Sequence, residues 1–386
     1  MARTLRSDKL LFSATLLLVG VSVIMVYSAS AADSLDGSQP SYHQLLRQSI
    51  WVALGLALLA AAIRVDYHDL KRPEVIWSLV AVTVAALVAV FFFAPRANTN
   101  RWLSFGGFTV QPSEFAKLTA IVFAAALLER RMHRINDAAY ALAPVAAVTM
   151  LLAGLIVLEP DFGTAAVLIL VVTAIVFGAG LSYRYLFGSL LILLPAAMAL
   201  IATSDYRMRR VQTYLNPWAD QFGDGYQPVQ SFIALGSGGL TGKGLMAGVQ
   251  KLHYIPEPQN DFIFAVIGEE FGLIGTTVVL ACFLVIAWRG LRTALLAPDR
   301  FGSLLALGLT MAIAIQAFIN ISVVVGLLPT KGIPLPFVSA GGSSLVVSLM
   351  AMGILLNISQ QASPRLHAET ASAFTKAPAG EPARQA

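Results

Sequence analysis

Three carboxylates stand where carboxylates are costly, in the stretch YIPEPQNDFIFAVIGEEFGLIG at residues 254–275. Asp261, Glu269 and Glu270 lie at or inside the mouth of an apolar run there, and ionisable side chains in such a setting mark functional hypotheses. Asp261 comes just before Phe262 and Phe264. Partial desolvation at that point raises a carboxylate's pKa toward the range of a general base at neutral pH. The position equally suits a helix N-cap, a role for which Asp is favoured, and one residue can serve both. Glu269 and Glu270 follow further along, about 12 to 13 Å deeper on a helix that rises 1.5 Å per residue. They cannot share a substrate atom with Asp261, and a buried ion pair or a packing role is the better reading of both.

Three further segments combine charge with unusual backbone. In NRWLSFGGFTVQPSEFAK, residues 100–117, Pro112 and Ser113 form a helix start, and Glu114 and Lys117 share a helix face. They suit either a structural pair or a site for a charged head group, while Arg101 beside Trp102 suits an interfacial anchor. The Gly-rich run through residues 216–251 lets backbone amides approach an anion, with Lys243 between Gly242 and Gly244 placed to meet a phosphate. GLTGKG is not a nucleotide-binding phosphate loop, because its spacing to Lys is wrong and no strand-to-helix frame surrounds it. The last segment, LLPTKGIPLPFVSAGGSS at residues 327–344, is a Pro-broken connection ending in Ser343 and Ser344. Broken backbone near membrane depth is tolerated only against protein or a water-filled cavity.

The elements that must position these residues follow from composition. Of 386 residues, 57% are hydrophobic and 12% charged, more apolar side chain than a soluble domain of this length buries. Apolar stretches with few or no charges at 10–30, 48–63, 75–94, 113–128, 141–158, 162–179, 183–202, 262–288, 302–326 and 340–359 predict an all-α integral membrane protein of about ten transmembrane helices. The first is long for a cleavable signal and reads as a retained helix. With both termini cytoplasmic, the inner loops carry Arg64, Lys71, Arg72, Arg130, Arg131, Arg134, Arg184, Arg289, Arg292 and Arg300, as the positive-inside rule requires. All four unusual segments then fall on the outer side. The basic residues are scattered through these loops, which argues against nucleic acid as a partner. A membrane domain is expected over 1–362. Within it, residues 203–261 between spans seven and eight read as an ordered extracytoplasmic lid with no obvious helix of its own. Residues 363–386, poor in apolar side chains, read as a disordered cytoplasmic tail. A single cysteine, Cys282, excludes an intrachain disulfide and a cysteine-based zinc site. The scattered carboxylates form no metal-ligand pattern; no cofactor is assigned, and a divalent cation stays possible.

The strings RWLSFGGFTVQPSEFAKL, EPDFGTA, IALGSGGLTGKGL, PEPQNDFIFAVIGEEFGLIG and LPTKGIPLPFVSAGGSS, in this order, resemble the SEDS family of shape, elongation, division and sporulation proteins. The likeness runs from the first span to the last. VQKLHYIPE and LPTKG followed by GGSSL look more like its division branch than its elongation branch. The resemblance implies a peptidoglycan glycosyltransferase that joins lipid II units outside the bacterial cytoplasmic membrane, with a class B penicillin-binding transpeptidase and other division-site membrane proteins as partners. It implies a catalytic carboxylate at Asp261 and a charged pair, Glu114 and Lys117, lining a central cavity. It also places Arg101, Lys243, Lys251, Glu257, Lys331, Ser343 and Ser344 in motifs that match the family, as candidates for substrate binding. A lipid II flippase and an elongation-type polymerase are the alternatives, and a scaffold for other wall enzymes is a third. The chain departs from the family in carrying Gln259 and Asn260 where His and Thr are usual, and Ala340 where Tyr is usual.

Overall fold

The computed structural model describes residues 8–30, 42–93, 101–105, 108–252 and 254–375. Ten helices coincide with the ten expected spans. They are α1 (Lys9–Ala29), α2 (Tyr42–Arg64), α3 (Pro73–Ala89), α4 (Pro112–Arg131), α5 (Ala143–Leu158), α6 (Phe162–Gly178), α7 (Tyr183–Ala202), α10 (Ile263–Leu296), α11 (Arg300–Val324) and α12 (Gly342–Thr375). Seven of them contain segments long and apolar enough to cross a membrane; α6 is apolar but shorter, and α4 and α7 complete the set. In lipid every backbone polar group must be paired within the protein, which is why uncharged runs resolve into helices. Local signals set their starts. Asp8, Asp161 and Asp299 cap α1, α6 and α11 through their carboxylates, and Pro73 and Pro112 occupy the first turns of α3 and α4.

The bundle is organised around α11, which packs against α10, α6 and α4, while α12 lies along α2 and α1 along α10. A two-stranded hairpin, β1 (Leu103–Phe105) against β2 (Phe108–Val110), precedes α4 and pairs Leu103 with Val110. The connection after α7 departs from the expected helix-free lid: it contains α8 (Asp205–Leu215) and α9 (Tyr226–Gly238). Likewise α12 runs on to Thr375, so helix occupies much of the segment expected to be a tail without structure. Residues 376–386 lie outside the described residues.

The long helix α10 is interrupted. Gly272 takes φ 63°, ψ −158°, and residues 239–244 are inserted into its hydrogen-bond ladder. The amides of Lys243 and Gly244 donate to the carbonyls of Glu269 and Glu270, each at 3.0 Å, while the amides of Leu273 and Ile274 turn to the carbonyls of Gly239 and Leu240. Gly242, at φ +80°, makes this possible, since a Cβ there would lie 2.1 Å from the carbonyl oxygen of Glu270. The glycines expected to admit an anion admit a neighbouring backbone instead.

Candidate functional site

Asp261 sits in the turn before α10. The N-cap of that helix is Phe262, with no side-chain cap bond, so Asp261 is not committed to capping. Its backbone is tightly held. Asn320 Nδ2, from α11, donates to the carbonyls of both Asp261 and Ile333 at 2.8 Å. Ser339 Oγ donates to the carbonyl of Asn260 at 2.6 Å, and the Ala340 amide to that of Gln259 at 2.8 Å. Because backbone carbonyls accept these bonds from the 259–261 turn, the departures at Gln259, Asn260 and Ala340 leave the contact intact. Gly332 lies under the carboxylate, where a Cβ would come within 2.9 Å of Asp261 Oδ2.

Asp261 keeps part of its surface open but is otherwise hemmed in by protein. Its pKa is pushed up to about 7, first by burial, then by the negative charges of Glu257 and Asp161, against the opposing pull of Arg210 and Arg101. Glu257 is exposed and accepts a bond from Asn260 Nδ2 at 2.6 Å. Arg210 reaches in from α8 and donates to the carbonyl of Thr330 at 2.6 Å. Arg101 donates to the carbonyls of Glu159 and Pro160 at 2.9 and 2.5 Å. Lys331 Nζ stands 5.6 Å from the ring centre of Phe162. Asp161 accepts from Gln111 Nε2 at 3.0 Å and from Thr164. Beside it, Glu159 is fully buried, and neither of its carboxylate oxygens has a hydrogen-bond partner. Burial, then Asp161, raise the Glu159 pKa to about 8 against the pull of Arg101.

Glu114 and Lys117 form the pair their spacing implies, with Nζ to Oε2 at 2.9 Å and both side chains buried. Lys117 also donates to Gln316 Oε1 at 2.5 Å, and Gln316 passes the link to the Pro334 carbonyl at 2.9 Å. A small cavity touches Glu114, Lys117, Gln316, Pro336 and Ser348. Ser343 Oγ accepts from the Gln111 amide at 3.2 Å, and Ser344 is buried in the first turn of α12.

Lys243 and Lys251 do not fit the expected role of phosphate-binding cations. Lys251 is almost fully buried, 2.6 Å from Glu270 Oε1 and 2.8 Å from Ser28 Oγ. Lys243 is 2.7 Å from Glu269 Oε1, and the Glu269 carboxylate also takes the amides of Val249 and Gln250 at 3.0 Å each. These are the ion pairs anticipated for Glu269 and Glu270, and their cations are the two lysines. Spacing along the chain could not show this, since the partners meet through the folded connection. The same applies to Arg210, Gln111, Asp161, Gln316 and Asn320, which the sequence reading did not assign to the site. Among the described residues, no group of three or more His, Cys, Asp and Glu side chains is placed to hold a metal ion.

Fold and site together define a multi-pass helical membrane protein with a partly open carboxylate, its pKa raised by burial, within the influence of Arg210 and Arg101. The sequence profile of the cell cycle protein family FtsW/RodA/SpoVE matches residues 8–364. A probable peptidoglycan glycosyltransferase FtsW from Geobacter metallireducens is 40% identical over 355 residues, covering 92% of this chain and 95% of that protein. Stage V sporulation protein E from Bacillus subtilis is 40% identical over 358 residues, 92% of this chain and 97% of that one. Among solved structures, a chain from work on the structural coordination of polymerization and crosslinking by a peptidoglycan synthase complex superposes with a TM-score of 0.76 at 27% identity, covering 93% of this chain and 99% of the other. The rod shape determining protein RodA of Thermus thermophilus superposes with a TM-score of 0.67 at 26% identity, over 92% of this chain and 97% of its own. The protein belongs to the FtsW/RodA/SpoVE family.

Proposed function

We propose that the protein polymerises lipid II into glycan strands at the outer face of the bacterial cytoplasmic membrane, in septal wall synthesis. The observation that carries this reading is the placement of Asp261, free of a capping role, partly open and near neutral in pKa. In the proposed step Asp261 takes the proton from the acceptor's sugar hydroxyl as that oxygen attacks the donor's anomeric carbon. The bond to undecaprenyl pyrophosphate breaks with inversion, and the leaving group carries the electron pair away. Arg101 and Arg210, whose charges act on Asp261, and Lys331, the chain neighbour of Gly332 beneath the carboxylate, are the cations proposed to meet its charge. Glu114 and Lys117, with Gln316, hold the cavity wall and the 331–341 connection in register. A class B transpeptidase is the partner this reading calls for, and the related chain in the peptidoglycan synthase complex supports it. The division role rests on relatives named FtsW, such as that of Geobacter metallireducens at 40% identity.

The test is strand synthesis from purified lipid II by the reconstituted protein, with and without its transpeptidase, comparing wild type with Asp261→Asn. Strands from wild type alone support the polymerase and its base. Equal synthesis by both removes Asp261 from the chemistry. Transfer of lipid II across liposome membranes without strands replaces the reading with a flippase.

A further inference from the structure

We propose that Asn320 is a positioning residue for Asp261: from α11 its single amide ties the Asp261 and Ile333 carbonyls together and keeps the carboxylate seated over Gly332. The inference rests on the function proposed above and adds to it a residue outside every motif that the sequence singled out.

Asn320 is 2% exposed. Both of its amide hydrogens are committed, to Asp261 and Ile333 at 2.8 Å each. These carbonyls belong to two separate connections, the 259–261 turn and the 331–341 loop, so one side chain on a packed helix sets their spacing. The Asp261 carboxylate lies in the gap so defined, close enough to Gly332 that a methyl group there would meet Oδ2 at 2.9 Å. Ser339 and Ala340 hold residues 259 and 260, but only Asn320 bonds Asp261 itself among the contacts described. Asn320 Oδ1 is buried without a hydrogen-bond partner. A leucine of nearly the same shape would avoid that orphaned acceptor. The amide is thus not at this site for its own satisfaction, and what it accomplishes is the joint placement of two carbonyls.

The experiment uses the full-length protein in nanodiscs, as wild type, Asn320→Leu and Gly332→Ala. One readout is independent of turnover: labelling of Asp261 by dicyclohexylcarbodiimide, which reacts with protonated carboxyls in apolar surroundings, followed by mass spectrometry from pH 5 to 9. The other is kcat and KM for strand synthesis. With the clamp removed the turn loosens and Asp261 gains water, so the labelling midpoint falls from near 7 by about one pH unit or more. In strand synthesis kcat falls about 10- to 100-fold per folded molecule, with KM within about twofold of wild type. Gly332→Ala disturbs the same contact from its other side; should Asn320→Leu fail to fold, a shifted midpoint and lowered kcat in Gly332→Ala are the expected result. An unchanged midpoint and kcat in every variant that folds overturns the proposal. If wild type makes no strands but the variants shift the midpoint, the positioning role stands and the polymerase reading fails. If wild type polymerises and neither the midpoint nor kcat moves in any folded variant, the reverse holds.

Discussion

Replacing Lys251 by Met separates the two roles a lysine could have in this fold. Lys251 and Glu270 are 2% and 0% exposed and 2.6 Å apart, and removal of the ammonium leaves Glu270 with the Ser28 hydroxyl as its remaining donor. Breaking one side of a buried pair costs about 3 to 5 kcal/mol, most of it the penalty of an unpaired buried charge. Lys243→Met should cost only about 1 kcal/mol, because that lysine is 34% exposed and Glu269 keeps two backbone amides. The informative variant is the neutral double, Lys251→Met with Glu270→Gln, which removes both charges and should return to within about 1 to 2 kcal/mol of wild type. Unfolding of a protein this large is commonly irreversible. The assay is therefore the fraction of monodisperse protein left after a fixed heat challenge, with strand synthesis measured where all variants remain folded. Equal losses in the single and double variants would show that the charges are not coupled. A double variant that is stable yet inactive would make Lys251 a substrate cation and refute its assignment as a structural partner.

Other outcomes follow from the site and the glycines. Log kcat/KM for strand synthesis should rise with a slope of about one per pH unit below about 7 and level off above it, since only the ionised Asp261 can accept a proton; a profile flat between about pH 5 and 8 removes Asp261 as the base. Glu159 has its pKa raised from 4.5 to about 8 in the folded protein, so folded and unfolded chains are both protonated below 4.5 and the folded state alone keeps the proton between the two values. Stability is therefore lost as pH rises through that window, and Glu159→Gln should match wild type in heat resistance near pH 4 and exceed it at pH 8. Gly242→Ala forces a Cβ against the Glu270 carbonyl at positive φ and should cost about 2 to 4 kcal/mol. Gly236→Ala, in α9 with open space around its Cβ, should gain up to about 1 kcal/mol in the same heat challenge.

The helices were legible because lipid enforces a simple rule: a predominantly apolar run of sufficient length becomes a helix, and helices cover all ten expected segments. Glu114 and Lys117 were legible because their partnership is local, set by helix periodicity. The expense of two glutamates inside an apolar run likewise pointed to a buried ion pair or a packing role, and both are ion-paired. The identity of their partners was not legible, because Lys243 and Lys251 reach them through a backbone insertion that depends on Gly242 and Gly272. The short helices α8 and α9 escaped notice because a polar connection lacks the apolar contrast that marks a span. Asn320 and Gln316 escaped for the opposite reason. They look like incidental polar residues in an apolar run, and their importance appears only when the carbonyls they bind, at Asp261, Ile333 and Pro334, come from elsewhere in the chain.

The insertion of residues 239–244 into α10 bears on how the chain is made. Helix α10 is synthesised with a ladder it cannot close alone, because Gly272 turns the amides of Leu273 and Ile274 away from the Glu269 and Glu270 carbonyls. Left in hydrocarbon, those two carbonyls would have no partner. Their donors, the amides of Lys243 and Gly244, come earlier in the chain and have left the ribosome by the time α10 emerges. The helix can therefore be completed as it enters the bilayer, and a chain whose 239–244 segment is deleted should be caught at that step by membrane quality control rather than assembled with a weakened site.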